Sequence, residues 1–303
     1  MRMACVAFDL DETIGNFEVF WYIASFWSVD YINTVEQRNS RGSFIPSPSL
    51  VTTLERVKES FANYILQDKE ILGLIIRPNI AELLGPLLAA KRSRHLKTMV
   101  IYSNTGVSYT IELAQYLLEQ MFKVPKLFSV TADWWSPLRS ADRAVVQGGI
   151  IMHKRIETLQ KIFQKALKTK KSIPLGNILF IDDRKPRHTL VQQIPDGLTY
   201  LVPTAFRPEF SVKHKEYLLF MAFAAMEKHG LLENAEYINS PFCDRTIHLS
   251  YPLERDIRIK SLHDLFTAIT QCVMSVQGLP WKSDSAALRK GVREFLQKAK
   301  PQS

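Results

Sequence analysis

The sequence predicts an α/β fold with a doubly wound parallel sheet, and two observations lead to this prediction. Short continuous apolar runs end at Phe8, Tyr102 and Ile181. Runs of this length are typical of strands that are buried on both faces of a sheet. Segments in which apolar residues recur at helical spacing alternate with these runs. Strands that alternate with helices pair in parallel and are covered by helices on both faces.

The predicted elements follow in order along the chain. The three apolar runs place strands at 3–8, 98–102 and 178–181, with weaker strand candidates at 127–131 and 199–202. Helical spacing predicts one helix at 111–122, after the second strand, and another at 156–167, before the third. In such sheets, ligands bind at the carboxyl ends of the strands, so residues at those ends are the first candidates for a site.

Two regions depart from the alternation of strands and helices. Residues 17–71 begin with an aromatic run, pass through a segment rich in Ser, Arg, Gly and Pro, and end in a helical pattern. We interpret them as a helical insertion after the first strand, in which the aromatic run forms core rather than a binding platform. Residues 206–303 carry mainly helical patterns, with a last helix near 284–297. The α/β core is then formed by residues 1–16 and 72–205.

The charge of the chain is unevenly distributed. The whole chain holds 39 Lys and Arg against 30 Asp and Glu, a formal net charge of +9. Residues 86–171 alone hold 15 basic and five acidic residues, an excess of ten. A domain with this charge attracts anionic partners by long-range steering, and phosphopeptides, nucleic acids and nucleotides all qualify. A solvated helix end at 165–171, where cations face the helix dipole, explains part of the excess.

Cysteine usage and hydropathy indicate the compartment. The three cysteines, Cys5, Cys243 and Cys272, are too few and too widely spaced for a disulfide framework or a zinc knuckle, which favours a reducing compartment. The apolar runs are shorter than the roughly 20 residues of a membrane helix. The first acidic residue, Asp9, comes too early for a signal peptide. We therefore expect an intracellular protein, cytoplasmic or nuclear, with no membrane partner.

An acidic pair directly after the first predicted strand is the most informative feature of the sequence. Asp9 and Asp11 lie two residues apart and could bind a hard cation such as Mg²⁺ through their oxygens. A carboxylate beside Mg²⁺ can attack phosphorus, and the second carboxylate can act as general acid and base. A solvated turn with capping acids is the alternative for this pair taken alone.

Two further polar clusters follow predicted strands. Ser103 and Asn104 end the second strand shortly before a helix, where they could bind a phosphate together with free backbone N–H groups, or simply cap the helix. Asp182 and Asp183 end the third strand and offer further metal ligands, or one of them pairs with Arg184. Because the carboxyl ends of parallel strands meet at one edge, we expect these clusters to converge on one site.

The order of these motifs resembles that of the haloacid dehalogenase (HAD) superfamily of phosphatases. The first motif of that superfamily, Asp-x-Asp-x-Thr/Val after an apolar strand, matches the stretch from Asp9 to Thr13. The second motif, a Ser or Thr at a strand end, matches Ser103, and the acidic pair of the fourth matches Asp182 and Asp183. The resemblance covers roughly residues 3–16 and 72–203, which would form the catalytic core, with 17–71 as a cap-like insertion.

Within the superfamily, the string Asp-Leu-Asp-Glu-Thr at 9–13 is similar to the branch of RNA polymerase II C-terminal-domain phosphatases and NLI-interacting factors. The helix that opens at Arg77-Pro78 resembles the Arg-Pro-Gly helix of that branch, with Asn79 in place of Gly. Ile14-Gly15 stands where the branch has Leu-Val.

The resemblance implies a role for each residue at the site. Asp9 would be the nucleophile and a Mg²⁺ ligand, and Asp11 the general acid and base, with its backbone carbonyl on the metal. Ser103 and Asn104 would bind the phosphoryl oxygens, and Asp182 and Asp183 would complete the metal site. The lysine that neutralises the phosphoryl group would be Lys154, at the start of the helix that precedes Asp182, rather than Lys161 or Lys165 within that helix.

The leading hypothesis is therefore a Mg²⁺-dependent phosphatase that works through an aspartyl-phosphate, with a phosphoprotein as substrate. A phosphatase acting on nucleic-acid ends or nucleotides, and a catalytically weak module that binds a phosphorylated or nucleic-acid partner, are the alternatives. The position of residues 17–71 directly after Asp11 leads us to expect that they cover the site, with Phe17, Phe20 and Trp21 as its apolar lining.

Overall fold

The computed structural model describes residues 4–30, 32–33, 43–146, 149–184, 194–249, 255–277 and 285–299 of the 303-residue chain. Its strands, in chain order, are β1 (Ala4–Phe8), β2 (Leu96–Tyr102), β3 (Val130–Ala132), β4 (Arg143–Val146), β5 (Gly149–Met152), β6 (Ile178–Ile181), β7 (Thr199–Leu201), β8 (Arg245–Leu249) and β9 (Arg255–Ile259). Five of them form one sheet in the order β3-β2-β1-β6-β7, and every pairing within it is parallel. The predicted α/β class and the parallel sheet are confirmed.

Helices surround this sheet. In chain order they are α1 (Glu18–Ile23), α2 (Pro48–Gln67), α3 (Lys69–Ile75), α4 (Ile80–Arg92), α5 (Ser108–Phe122), α6 (Ile156–Leu167), α7 (Val212–Lys228), α8 (Ala235–Ile238), α9 (Leu262–Ser275) and α10 (Ser285–Ala299). Short 3₁₀ helices occur at Ala24–Phe26, Pro137–Asp142, Leu175–Asn177 and Leu231–Glu233. None of the helices in the described ranges combines the length and the apolar character that a bilayer crossing requires.

The central strand β1 is buried on both faces, as its uninterrupted apolar sequence predicts. Val6 and Phe8 point into one hydrophobic cluster, which includes the inner faces of α4 and α5. Cys5 and Ala7 point into a second cluster, which includes Leu159 of α6. Successive side chains of a strand face opposite sides, so helices cover both sides of the sheet.

The strand boundaries follow hydrogen bonding more closely than hydrophobicity. The strand predicted at 178–181 has those bounds, whereas the candidate at 127–131 becomes β3, which starts only at Val130. Leu127 is buried, but its backbone N–H donates to the carboxylate of Glu119 and not to β2. Hydrogen bonding to β2 begins with the N–H of Ser129, which donates to the carbonyl of Met99, and the residue pairing follows from Val130, opposite Val100.

Two antiparallel hairpins were not predicted. β4 pairs with β5 just before α6, and β8 pairs with β9 within the region predicted to be mainly helical. The strands of each hairpin have only four or five residues. Such short segments carry too little alternation to stand out from loop sequence.

The insertion and the C-terminal region pack on each other and on the sheet. Phe17, Phe20, Phe26 and Trp27 of the aromatic run are fully buried. The hydrophobic cluster that contains them also contains β1 side chains and residues of α7 and α9. Hydrogen bonds join the same regions, for example from the Tyr237 hydroxyl to the carbonyl of Phe26, at 2.8 Å. These four residues of the aromatic run are thus core, and the boundaries at 16/17, 71/72 and 205/206 remain predictions.

Candidate active site

The predicted polar clusters meet at the edge of the sheet where the strands end. β2, β1 and β6 are neighbours, so the residues that follow them lie side by side. A pocket at this edge is lined by five of the predicted site residues, namely Asp9, Asp11, Ser103, Asn104 and Asp183. Asp182 and Lys154 are also present, but they are buried beneath the pocket.

Three carboxylates at this edge form a group that could hold a metal ion. One oxygen from each of Asp9, Asp182 and Asp183 lies within 4.8 Å of the others. The backbone fixes the first two, because the N–H of Asp9 donates to the carbonyl of Ile181 and the N–H of Asp182 to that of Leu201. Both bonds continue the hydrogen-bond pattern of the sheet beyond the ends of the strands. The sheet therefore fixes the backbone positions of Asp9 and Asp182.

Lys154 neutralises part of this negative charge. Its Nζ lies 2.7 Å from Oδ1 of Asp9 and 2.7 Å from Oδ2 of Asp182, and the side chain is only 1% exposed. Burial lowers the pKa of Lys154, but the charges of Asp182 and Asp9 outweigh burial and raise it overall. The ammonium therefore stays charged. Lys161 and Lys165, the alternatives on α6, are both exposed to solvent.

Asp183 links the first acidic motif to the last one. Its backbone N–H donates to Oγ1 of Thr13 at 2.9 Å, and that hydroxyl donates to Oδ1 of Asp183 at 3.2 Å. Burial, together with the charges of Asp9 and Asp182, raises the pKa of Asp183 to about 7. Burial likewise raises the pKa of Asp182, although Lys154 opposes this effect. Without a cation, Asp183 is therefore partly protonated near neutral pH.

Asp11 stands apart from the three clustered carboxylates. Its Oδ1 is buried and has no hydrogen-bond partner among the described residues. Burial and the charges of Asp9, Glu12 and Asp183 raise the pKa of Asp11 well above its ordinary value. A carboxyl group with a raised pKa keeps a proton that it can donate, which is the property required of a general acid.

Hydrogen bonds from Arg77 hold the backbone of the turn that carries Asp11. This fully buried guanidinium donates to the carbonyls of Thr13 at 2.8 Å, Glu12 at 2.7 Å and Thr204 at 2.6 Å. Gly15 closes the turn, and a Cβ there would lie 2.2 Å from the carbonyl oxygen of Ile75. The close approach of α3 therefore requires glycine where the resembling branch has Val.

Ser103 and Asn104 do not cap the helix that follows them. α5 begins at Ser108, and its N-cap residue is Val107, without a side-chain cap. Oγ of Ser103 instead accepts the N–H of Thr105 at 3.1 Å, and the N–H of Ser103 donates to the carbonyl of Ala132. The alternative of a simple capping role is therefore wrong. Among the described residues the Ser103 hydroxyl has no acceptor for its own proton, which it can donate to a ligand.

Sequence reasoning missed the residue that orients this loop. Nη2 of Arg139 lies 2.5 Å from Oδ1 of Asn104, and Nη1 donates to the carbonyl of Ser103. Nε of Arg139 pairs with Asp142 at 2.8 Å, and both side chains are fully buried. Asp142 also accepts the hydroxyls of Tyr102 and Thr158. Arg139 is 35 residues away from Asn104 in sequence, and no local pattern connects the two.

The rim of the pocket was also not predicted, apart from Trp21. Glu12, Glu18, Trp21, Arg184 and Arg207 line it, and Arg207 pairs with Glu12. Trp21 is 38% exposed. The expected lining by Phe17 and Phe20 is wrong, because both rings are buried in the core and Phe20 packs against Phe61. Of the three aromatic residues, only Trp21 lines the pocket.

The described contacts also bear on Arg184. Its backbone N–H donates to Oδ1 of Asp182 at 3.0 Å, while its side chain lines the pocket. The charge partner of Asp182 is Lys154. The alternative in which one acid serves as a structural partner of the Arg184 guanidinium thus has no support from these contacts.

No protein-family model matches the chain, and no curated protein matches it in sequence. A function is therefore inferred from the positions of the side chains and from the resemblance in motif order.

Proposed function

We propose that the protein is a phosphatase of the HAD superfamily, which hydrolyses phosphate monoesters with Mg²⁺ through an aspartyl-phosphate. The observation that carries the proposal is the grouping around Asp9. This carboxylate lies at the end of the central strand, within reach of Asp182 and Asp183 and 2.7 Å from the ammonium of Lys154.

The donors at the site fit a hard divalent cation. Asp9, Asp182 and Asp183 offer only carboxylate oxygens, the ligands that Mg²⁺ prefers, and the buried Oδ1 of Asp11 has no hydrogen-bond partner in the part of the chain that the structure describes. Among the described residues, Lys154 is the lysine that pairs with these carboxylates, and those that are ionised would repel a phosphate. A bound Mg²⁺ would supply the positive charge that lets the phosphoryl group approach the carboxylates.

The residues of the chain divide the remaining work. A carboxylate oxygen of Asp9 attacks phosphorus, and the ester oxygen leaves with a proton from Asp11. Asp11 then takes a proton from water, which attacks phosphorus, breaks its bond to Asp9 and releases inorganic phosphate. Lys154 offsets the charge that develops on the phosphoryl oxygens, and the hydroxyl of Ser103 donates to them.

The resemblance and the rim of the pocket both bear on the substrate. A phosphoprotein is the substrate class that the resembling branch implies. The exposed ring of Trp21 at the rim favours a second candidate, a nucleotide or nucleic-acid end whose base stacks on the indole. Arg184 and Arg207 at the same rim suit either anionic substrate.

Release of inorganic phosphate tests the proposal. Phosphopeptides, 3′-phosphorylated DNA and nucleotides are compared with and without Mg²⁺, with Asp9→Asn as the inactive control. We expect release that EDTA abolishes and Mg²⁺ restores. Full activity in chelator contradicts the metal assignment, and salt-sensitive binding without any release supports the binding-module alternative.

A further inference from the structure

The edge of the sheet opposite the candidate site is strongly basic. Three connections enter strands there: 91–97 into β2, 123–129 into β3 and 165–177 into β6. Together these segments contain ten Lys and Arg residues and no Asp or Glu. We call this surface the amino edge. Nine of its basic residues are exposed, namely Arg92, Arg94, Lys97, Lys123, Lys126, Lys165, Lys168, Lys170 and Lys171.

The fold holds these connections next to one another. β2 pairs with β1 and β3, and β1 pairs with β6, so the connections lie along one side of four adjacent strands. Lys91 joins two of them, because its Nζ donates to the carbonyl of Leu127 at 3.0 Å. With neighbouring strands about 4.8 Å apart, the starts of β3 and β6 are separated by roughly 14 Å. The connection into the outer strand β7 carries an exposed acid, Asp196. The basic surface therefore ends before β7.

The backbone of the amino edge carries basic residues where glycine is ordinarily favoured. Arg94, Lys123, Lys126 and Lys168 have φ angles of 62°, 53°, 52° and 51°, in the left-handed region. Among the described residues, Glu12 is the one other non-glycine residue with positive φ. Glycine adopts this conformation at the lowest cost. Lys123 and Lys168 end α5 and α6, and Arg94 directly follows the C-cap residue of α4, so attraction to a helix dipole accounts for these three but not for Lys126. At Lys126 the positive charge is kept at a cost to the backbone.

We propose that the amino edge binds double-stranded nucleic acid through its phosphate backbone. A single phosphate contacts one or two cations, whereas a phosphate chain can contact cations spread over this distance. Proteins that hold unpaired bases stack them on aromatic side chains, and the exposed aromatic side chains of the described residues, Trp21, Trp135, Tyr217 and Phe220, all lie outside the three connections. A membrane-binding surface inserts apolar side chains, and the described residues of the three connections expose no large apolar side chain; the exposed Met121 and Ile194 lie outside them, in α5 and before β7.

The amino edge lies at the opposite ends of the strands from the candidate active site. The proposal of duplex binding is therefore independent of the proposed function. The five residues of β1 span about 16 Å between the two edges. A duplex on the amino edge therefore leaves the pocket around Asp9 open. Binding there would hold the protein on nucleic acid while the pocket acts on another part of that polymer or on a bound partner.

Fluorescence anisotropy with a short labelled DNA duplex tests the proposal on the full chain. The variant Lys168→Gln/Lys170→Gln/Lys171→Gln should bind the duplex at least about tenfold more weakly at low salt. The slope of log K against log salt should fall by about 2 to 3, since each phosphate contact contributes about 0.9. The matched control Lys69→Gln/Lys213→Gln/Lys260→Gln removes three exposed lysines elsewhere and should change the affinity less than twofold.

Thermal unfolding of both variants checks that they are folded, so that a loss of binding reports on the surface itself. Three results would overturn the proposal: equal weakening by the two triple variants, tighter binding of the single strand than of the duplex, or binding to vesicles containing phosphatidylserine in the absence of duplex binding. None of these readouts depends on phosphate release.

Discussion

Nη2 of Arg139 lies 2.5 Å from Oδ1 of Asn104, although Arg139 lies in the 3₁₀ helix Pro137–Asp142 and Asn104 in the loop after β2. Arg139 is held in turn by the buried carboxylate of Asp142 and lies over the ring of Tyr102, 4.8 Å from its centroid. A charged group with this many partners has one orientation. We conclude that Arg139 is a positioning residue for the loop that follows β2.

Arg139→Lys tests this positioning role. Lysine keeps the charge beside Asp142 but cannot reach Asn104 and Ser103 at once, since it lacks the planar fork of arginine. We expect kcat/KM to fall about tenfold with the fold retained. Arg139→Met, which leaves Asp142 buried and unpaired, should lower the free energy of unfolding by about 3 to 5 kcal/mol.

A double-mutant cycle separates positioning from a general structural effect. If Arg139 acts through Asn104, then Arg139→Lys should have little further effect on kcat/KM in an Asn104→Ala background. Fully additive losses would mean that the two residues act independently. The same cycle measured on the unfolding free energy serves as the control.

The raised pKa of Asp183 predicts how stability depends on pH. In the folded protein this pKa is about 7, against an ordinary value of 3.8, so the folded state binds more protons between those values. In metal-free buffer, the free energy of unfolding should therefore increase as pH falls through 7, and decrease as pH rises through 7. Asp182 and Asp11, whose pKa values are also raised, contribute in the same direction.

Thermal unfolding between pH 5 and pH 8, at about unit intervals, measures this dependence. Asp183→Asn should flatten it, whereas the exposed Asp196→Asn should leave it unchanged. Mg²⁺ should raise Tm more at pH 8 than at pH 5, because protons compete with the cation for the same oxygens. An increase that is independent of pH would indicate that the cation binds elsewhere.

The strands were predictable from sequence because burial on both faces leaves an uninterrupted apolar run. The convergence of Asp9, Ser103 and Asp182 was predictable for a related reason, since parallel pairing places strand ends together. The hairpins of β4–β5 and β8–β9 lacked such a signal. β6 is equally short, but its four residues are all apolar, whereas each hairpin strand contains Arg or Gly and no apolar run of four marks it.

Long-range polar contacts were beyond the reach of sequence patterns. Arg139 belongs to a segment with no helical or strand periodicity, and its charge gives no indication that it is buried. Arg207 lies 195 residues from Glu12, its partner at the rim. Trp21 and Phe20 are adjacent in sequence, and only the direction of α1 decides which ring faces the pocket.

Lys154 should be the lysine on which catalysis depends. Lys154→Ala leaves the negative charge of Asp9 and Asp182 without its neutralising partner. We expect kcat to fall on the order of a hundredfold, as for the loss of other fixed electrostatic stabilisers. The exposed Lys161→Ala is the matched control and should retain kcat; the opposite result would show that a residue other than Lys154 neutralises the phosphoryl group.

Lysines of the amino edge that have positive φ should lower the free energy of unfolding relative to glycine at the same position. Lys168 ends α6 with a φ of 51°, so Lys168→Gly should raise the free energy of unfolding by about 1 kcal/mol. Lys170, two residues further along the same connection, does not have positive φ. Lys170→Gly should therefore give no gain, because glycine there only adds freedom to the unfolded chain. Chemical denaturation of both variants measures the difference, and equal gains would remove the argument from backbone strain.

The two carboxylates after β1 should behave differently when each is replaced by its amide. Asp9→Asn has no anionic oxygen to attack phosphorus, so no covalent adduct can form. Asp11→Asn keeps the attacking oxygen of Asp9 but loses the group that protonates the leaving oxygen and activates water. A substrate with a good leaving group needs little protonation, so it should still phosphorylate Asp11→Asn, and the adduct should persist because its hydrolysis lacks a base.

Intact-mass measurement after rapid quenching in acid distinguishes the two variants. We expect the mass of a phosphoryl group on Asp11→Asn and none on Asp9→Asn, with the wild type showing little adduct at steady state. The control is Asp9→Asn/Asp11→Asn, which should stay unmodified under the same conditions. An adduct on Asp9→Asn, or turnover by it near the wild-type rate, would exclude Asp9 as the nucleophile. The grouping of Asp9 with Asp182, Asp183 and Lys154 would then need an explanation other than phosphoryl transfer to Asp9.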